Sequence, residues 1–234
     1  MKVAIHQPNY LPWCGYFAKL KACEIFIFLD DAQMSKSSYV QRTKMRSPVG
    51  DQWLTLPARI HNTPRIADVS FADSRWPRKH VATIGQVYRK APFFDEVMRV
   101  IEPAYASPGI NLSTFNRRLI ESVGRYLGIE RQVCLSSELN VASTGDQRLV
   151  ELTRKVRGTH YISGKGGTTY QDPAKFRAAG IELEVRMYSP RVYEAAGFPF
   201  LPGLSILDAL FVLGSSANRL LVYDEPRGSA LVAR

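Results

Sequence analysis

The chain opens on a short β-prone apolar run at residues 3–5, turns polar at His6-Gln7, and is punctuated by Pro8 and Pro12. Those prolines bar a helix across the loop, and Pro12 suits a first helical position. Over residues 13–22 the apolar positions recur at helical spacing. Residues 25–29 then form an unbroken apolar run, as a strand buried on both faces requires. The pattern predicts a βαβ unit. It sets His6, Gln7 and Asn9 at the carboxyl end of the first strand and Asp30 and Asp31 at that of the second, the edge where open α/β sheets bind ligands.

Residues 32–75 are rich in Ser, Pro, Asn, Asp and basic side chains, with one strand at 53–57, and read as an insertion or long ordered loop. Helices are expected over 76–90, 93–106 and 111–127. The last has Leu112, Phe115, Leu119, Ile120, Val123 and Leu127 on one face and Gly128 as its stop. A strand at 132–135, a helix at 146–156 and a strand at 159–162 follow. After a glycine-rich loop at 163–170, a helix opens at Asp172-Pro173 and a strand covers 181–187. The helix at 204–214 has Ser205 at its start and Asp208 three residues on, the spacing of a capping box. Residues 224–234 read as a flexible tail. The expected fold class is α/β: a three-layer, Rossmann-like, mostly parallel sheet, with a HUP/nucleotidylyltransferase-like arrangement as one form of it. A basic insertion at 32–90 follows the second strand, the C-terminal part is helical, and residues 1–234 make a single domain.

Composition narrows the class. At 234 residues, 45% hydrophobic and 22% charged, the chain is an ordinary soluble globular protein. No apolar run approaches the roughly 20 residues that span a bilayer, and Met1-Lys2 opens no signal peptide. A cytoplasmic location with no membrane partner is expected. Three cysteines without CxxC spacing indicate neither a disulfide framework nor a metal site. Cys14 is a nucleophile or, as small cysteines more often are, a buried hydrophobe.

Charge changes the picture further. Of a net +10, residues 36–90 hold eleven Lys or Arg against three Asp, a local +8. Such an excess suggests phosphates of a nucleotide, a nucleotide-sugar or an RNA backbone. Tyr39, Trp53, Phe71, Trp76 and Tyr88 are interleaved, either as stacking surfaces or as core.

The candidate chemistry gathers at the sheet's carboxyl edge. His6 is a general base, a phosphate ligand or a structural histidine. Asp30 and Asp31 could hold a metal, orient His6 or bind a substrate ammonium; neighbours on a strand face opposite ways, so one of the two is expected in the site. Tyr10, Tyr16 and Tyr39 offer hydroxyls, Trp13 an aromatic wall, Arg42 and Lys44 cations. In the second loop Ser163, Gly164, Gly167 and Tyr170 can approach an anion beside Lys165, though the GxxxxGK[ST] spacing of a P-loop is absent. The catalytic assignment is His6, Asp31 and Tyr39. Substrate contacts are assigned to Gln7, Asn9, Tyr10, Trp13, Tyr16, Asp30, Arg42, Lys44, Ser163, Gly164, Gly167 and Tyr170.

The opening IHQPNYLPWCGYFAKL with IFIFLDDAQ, then Ser37-Ser38-Tyr39 with Arg42, Tyr161-Ile-Ser163-Gly164 with Gly167 and Tyr170, and Leu204-Ser205-Ile-Leu-Asp208 resemble the WbqC-like family. These blocks run along nearly the whole chain. The family is similar to enzymes encoded among genes for surface-polysaccharide and specialised-metabolite assembly. The resemblance therefore implies a biosynthetic role, attaching a glycyl or other acyl group to an amine. A charged tRNA, or another phosphate-bearing donor, would account for the basic segment, with a small amine as acceptor; no cofactor is assigned to this reaction.

A second likeness points elsewhere. Strand-HxxN-helix is similar to the strand-HxxH-helix of HIGH-type nucleotidylyltransferases and synthetases, and Met34-Ser35-Lys36-Ser37 to part of their lysine loop. Asn9 in place of the second histidine and the early position of that tetrapeptide depart from the pattern. The alternative is thus an ATP-using enzyme with magnesium near Asp30 or Asp31. A non-catalytic RNA-binding module is the third class.

Overall fold

The computed structural model describes residues 1–60, 62, 64–169 and 171–225. The opening unit is β1 (Lys2–His6), α1 (Cys14–Ala22) and β2 (Ile25–Phe28). Helix α1 starts after Pro12, with Trp13 as its N-cap, rather than on the proline. A hairpin, β3 (Arg42–Ser47) and β4 (Gly50–Thr55), is followed by α2 (Trp76–Tyr88), α3 (Phe94–Ala106) and α4 (Leu112–Tyr126). The alternation resumes with β5 (Gln132–Leu135), α5 (Gly145–Lys155), β6 (His160–Ser163), α6 (Pro173–Ala178) and β7 (Glu182–Val185), and α7 (Ile206–Leu213) comes last.

Five strands form one parallel sheet in the order β5-β2-β1-β6-β7. Counted among themselves, these strands run 3-2-1-4-5, the doubly wound order, whose direction reverses between β1 and β6. Successive side chains on a strand face opposite ways. Ala4, Phe26, Phe28 and Ile162 join a large core with α1, α3, α4 and α7. Val3, Ile5, Ile25, Ile27 and Tyr161 join a smaller one with Val150 and Leu152 of α5 and Phe176 of α6. Helices therefore cover both faces, and the expected three-layer α/β fold is the one observed.

The expected insertion departs from its reading in one respect: residues 42–47 form a strand, antiparallel to β4 with Arg42 opposite Thr55 and Lys44 opposite Trp53. Charged residues alternate along it with Thr43 and Met45, which are buried against the large core. Behind the hairpin a chain of buried polar groups is closed. Tyr105 hydroxyl lies 2.5 Å from that of Tyr10, which lies 2.8 Å from His80 Nδ1, and His80 Nε2–H donates to the Thr55 carbonyl at 3.2 Å. Tyr10 is thus a core residue.

The capping box expected at α7 is only half present. Ser205 Oγ accepts from Leu207 N–H, but Asp208 turns into the core. Its carboxylate accepts Nε–H of Arg46 at 2.9 Å, Nη2–H of Arg46 at 3.0 Å, and the hydroxyls of Tyr88 and Tyr193 at 3.0 and 2.9 Å. Of the expected tail, Asp224 is tied down by Ser189 and Arg191, and residues 226–234 lie outside the described residues. Among the described residues no helix is long and apolar enough to cross a membrane.

Candidate functional site

At the switch point between β1 and β6 a cavity of about 440 Å³ opens, within the usual size range of small-molecule sites. Its wall includes His6, Gln7, Trp13, Gly15, Tyr16 and Lys19 from the opening unit, and Ser163, Gly164, Gly166 and Gly167 from the loop after β6. Gln171, Arg186, Tyr188 and Tyr223 close it.

His6 is the last residue of β1. Its Nδ1 lies 3.2 Å from the Gln7 carbonyl, which can only accept, so Nδ1 carries the proton and Nε2 the lone pair. The Tyr16 hydroxyl donates to the same carbonyl at 3.0 Å, and the two rings meet edge to face at 4.7 Å. Desolvation, followed by the nearby Lys19 charge, pushes the His6 pKa down to about 3. The imidazole is neutral at physiological pH.

The loop between β1 and α1 is held from three sides. Asn116 Nδ2 donates to the carbonyls of Pro8 and Val40, both at 2.8 Å. Leu11 sits at φ 40°, a strained conformation for a branched side chain, and its carbonyl accepts from Thr43 Oγ at 2.9 Å and Ser205 Oγ at 2.7 Å. Gly15 has no room for a Cβ because the Trp13 indole lies over it, against Tyr188. Gly167 is required likewise: a Cβ there would overlap Ser163 Oγ and Gln171 Oε1, which are hydrogen-bonded at 2.6 Å.

The cavity brings together His6, Gln7, Trp13, Tyr16, Ser163, Gly164 and Gly167 of the assigned residues. Asn9 is buried outside it. Asp30 and Asp31 do not line it either, and their roles are corrected. Asp30 accepts from Ser137 N–H at 3.0 Å and Ser137 Oγ at 2.8 Å, while Asp31 pairs with Ser136 and Arg148. Both carboxylates fasten the end of β2 to the turn after β5 and to α5. Tyr170 lies outside the described residues.

Nor do the cations of the basic segment line this cavity, against expectation. Arg46 is buried against Asp208, Lys44 pairs with Asp51 at 3.0 Å, and Arg65 and Arg75 pair with Asp68 and Asp73. Arg89 and Lys90 border a separate concavity of about 750 Å³. Arg42 stacks over Trp53 at 4.1 Å, with Lys44 at 5.8 Å and the Tyr39 ring at 5.8 Å. Trp53 is 41% exposed and Tyr39 59%. This is an aromatic–cationic platform on the hairpin. It adjoins the loop after β1, since Tyr10 N–H donates to the Tyr39 carbonyl at 2.9 Å.

A family model described as "WbqC-like protein family" matches residues 7–220. The chain belongs to the WbqC-like family. A relative from Mycobacterium tuberculosis, "Uncharacterized protein Rv1507c", is 32% identical over 226 residues, covering 95% of this chain and 98% of its own. In this WbqC-like chain the HQPNYLPW block is divided by the structure. Its His6, Gln7 and Trp13 face the cavity while Asn9, Tyr10 and Leu11 anchor the loop. Burial pushes the Cys14 thiol up to about 12, which disfavours the thiolate that a nucleophile needs and accords with its reading as a small hydrophobe.

Reading the sequence passed over Lys19, Arg186, Gln171, Tyr188 and Tyr223. Lys19 stood inside the opening block, and the helical spacing around it was the available signal. The others lie in loops or near chain ends with no pattern to mark them.

The two buried imidazoles make acid stability testable. Folded His6 and His80 titrate near about 3 and about 4, mainly through desolvation, against 6.5 unfolded. Between those values the unfolded chain binds protons that the native one refuses. Stability is therefore full above pH 6.5 and falls as pH drops below it, by up to about 1.4 kcal/mol per pH unit for each histidine. Denaturant unfolding at pH 5.5 should take up nearly two protons from these groups. Uptake near zero in a pH-stat would show that neither is held neutral.

Proposed function

We propose that this WbqC-like chain is a biosynthetic transferase that forms an amide, moving an acyl or glycyl-type aminoacyl group from an activated donor to a small amine such as an amino sugar. The observation that supports it most is a neutral imidazole, fixed in one tautomer, at the wall of the switch-point cavity. As the amine nitrogen bonds to the donor's carbonyl carbon it gives up a proton. Nε2 of His6 takes that proton and returns it to the departing group as the carbonyl re-forms. Backbone N–H groups of the glycine loop are suited to the developing oxyanion. Tyr16 is a positioning residue, acting through the Gln7 carbonyl. A cytoplasmic location accords with such a role.

A charged tRNA is the donor that would use the Trp53 platform. Base stacking on an aromatic side chain is worth about 1–3 kcal/mol. Trp53→Ala should therefore weaken tRNA binding by about that much, and binding should fall steeply as salt rises. Equal affinity for wild type and variant in a filter-binding titration would remove tRNA from the proposal.

One observation favours nucleotidylyl transfer from ATP with magnesium: the 3-2-1-4-5 sheet with a histidine ending its first strand. Against it, Asn9 does not share the cavity with His6. The deciding experiment incubates the purified chain with charged tRNA or acyl donors and a panel of amines, and separately with ATP. Amide product without ATP supports the transferase. Pyrophosphate release supports the second reading. RNA retention with neither product would leave a binding module.

A further inference from the structure

We propose that Lys19 is the recognition cation of the switch-point cavity, and that the ligand bound beside His6 carries an oxyanion, carboxylate or phosphate, that pairs with it. This rests on the cavity being the working site, but not on which group is transferred.

Lys19 lines the cavity from α1 and is 8% exposed. An ammonium has three donors, and among the described residues the acceptor given for it is the Ile5 carbonyl at 2.9 Å. It also lies over the face of Tyr161, 5.7 Å from the ring centre. No carboxylate among the described residues pairs with it, and none lines the cavity. Arg186 differs, because its guanidinium is engaged by Glu184. A buried cation without a counter-ion is costly. Desolvation accordingly lowers the Lys19 pKa to about 8, which still leaves most of it charged at neutral pH.

The surroundings fit the same ligand. The first turn of α1 borders the cavity through Gly15 and Tyr16 and holds no acidic residue, so the positive end of the helix is unopposed there. The loop after β6 lines the same cavity with Gly164, Gly166 and Gly167, and nothing crowds the backbone at Gly164 and Gly166. The charge on Lys19 also holds down the proton affinity of His6. An anion seated on Lys19 would relieve that repulsion and make the imidazole a stronger base at the moment the ligand is in place.

The test follows thermal unfolding of the whole chain with orthophosphate, pyrophosphate or acetate, ionic strength held constant with sodium chloride. Lys19→Met, which removes the charge at similar volume, is run beside it. Wild type should show a saturable rise in Tm with at least one anion; pyrophosphate and orthophosphate would mark a phosphate-bearing ligand, acetate a carboxylate. Lys19→Met should bind that anion about 30-fold or more weakly, and without anion it should melt above wild type. No saturable shift in wild type, or an unchanged affinity in Lys19→Met, overturns the proposal. Should the variant not fold, the His6 ring resonances of wild type decide: the anion must move them, and their indifference overturns it equally. A transferase that fails to appear shows separately, as absent amide product with anion binding intact.

Discussion

Truncating Asp208 to alanine should cost the fold about 3–5 kcal/mol, the range for removing one partner of a buried ion pair. The carboxylate is fully buried and accepts four hydrogen bonds. Without it the Arg46 guanidinium would keep, among the described residues, the Pro199 carbonyl at 2.8 Å and the face of Phe198, and the Tyr88 and Tyr193 hydroxyls would lose this acceptor. The pair ties β3 to α7, and Tyr88 brings in α2. Asp208→Asn keeps the shape but not the charge and should fall between wild type and alanine. Urea unfolding monitored by circular dichroism measures this. A loss below about 1 kcal/mol for the alanine variant would mean that the cluster relaxes or takes up water easily.

The second large effect is on chemistry. His6→Gln should lower amide formation about 10²–10⁴-fold, the usual worth of a positioned general base. Glutamine approximates the reach of the imidazole but cannot take a proton. The loss should therefore fall on kcat, with KM for the amine close to that of wild type, and single-turnover measurements separate the two. If His6→Gln keeps its rate within about threefold, His6 is structural and the transferase proposal loses its base.

The sheet and the opening unit were legible because their signals are local. A three-residue apolar run, two prolines and a helical spacing place β1, the loop and α1 without reference to anything distant. Most helices and the glycine loop follow for the same reason. What escaped the sequence depends on partners far along the chain. Arg42 and Lys44 read as cations for a substrate, and the strand they belong to shows only once Thr43 and Met45 are buried. Asp208 read as a helix cap because its four donors come from three separate segments. Asp30 and Asp31 looked like a site because they end a strand, yet Ser136, Ser137 and Arg148 engage them. Lys19 has the opposite history: a helical lysine is expected in water, and only the packing of α1 over β1 takes it inside.

The hairpin cations teach a related point. Regional charge is visible in composition, but its destination is not. Of the eleven cations in the basic segment, one guanidinium enters the core, another lies on an indole and three pair with the segment's own aspartates. What survives as open positive surface is smaller than the count implies.

The clamp on Leu11 bears on how the molecule comes into being. Its carbonyl needs a hydroxyl from residue 205, and the cavity wall needs Arg186, Tyr188 and Tyr223. A nascent chain therefore carries His6 in a half-built recess through most of synthesis. Only when the late segments dock does the recess close into a site, so any activity belongs to the finished molecule and not to its growing fragments.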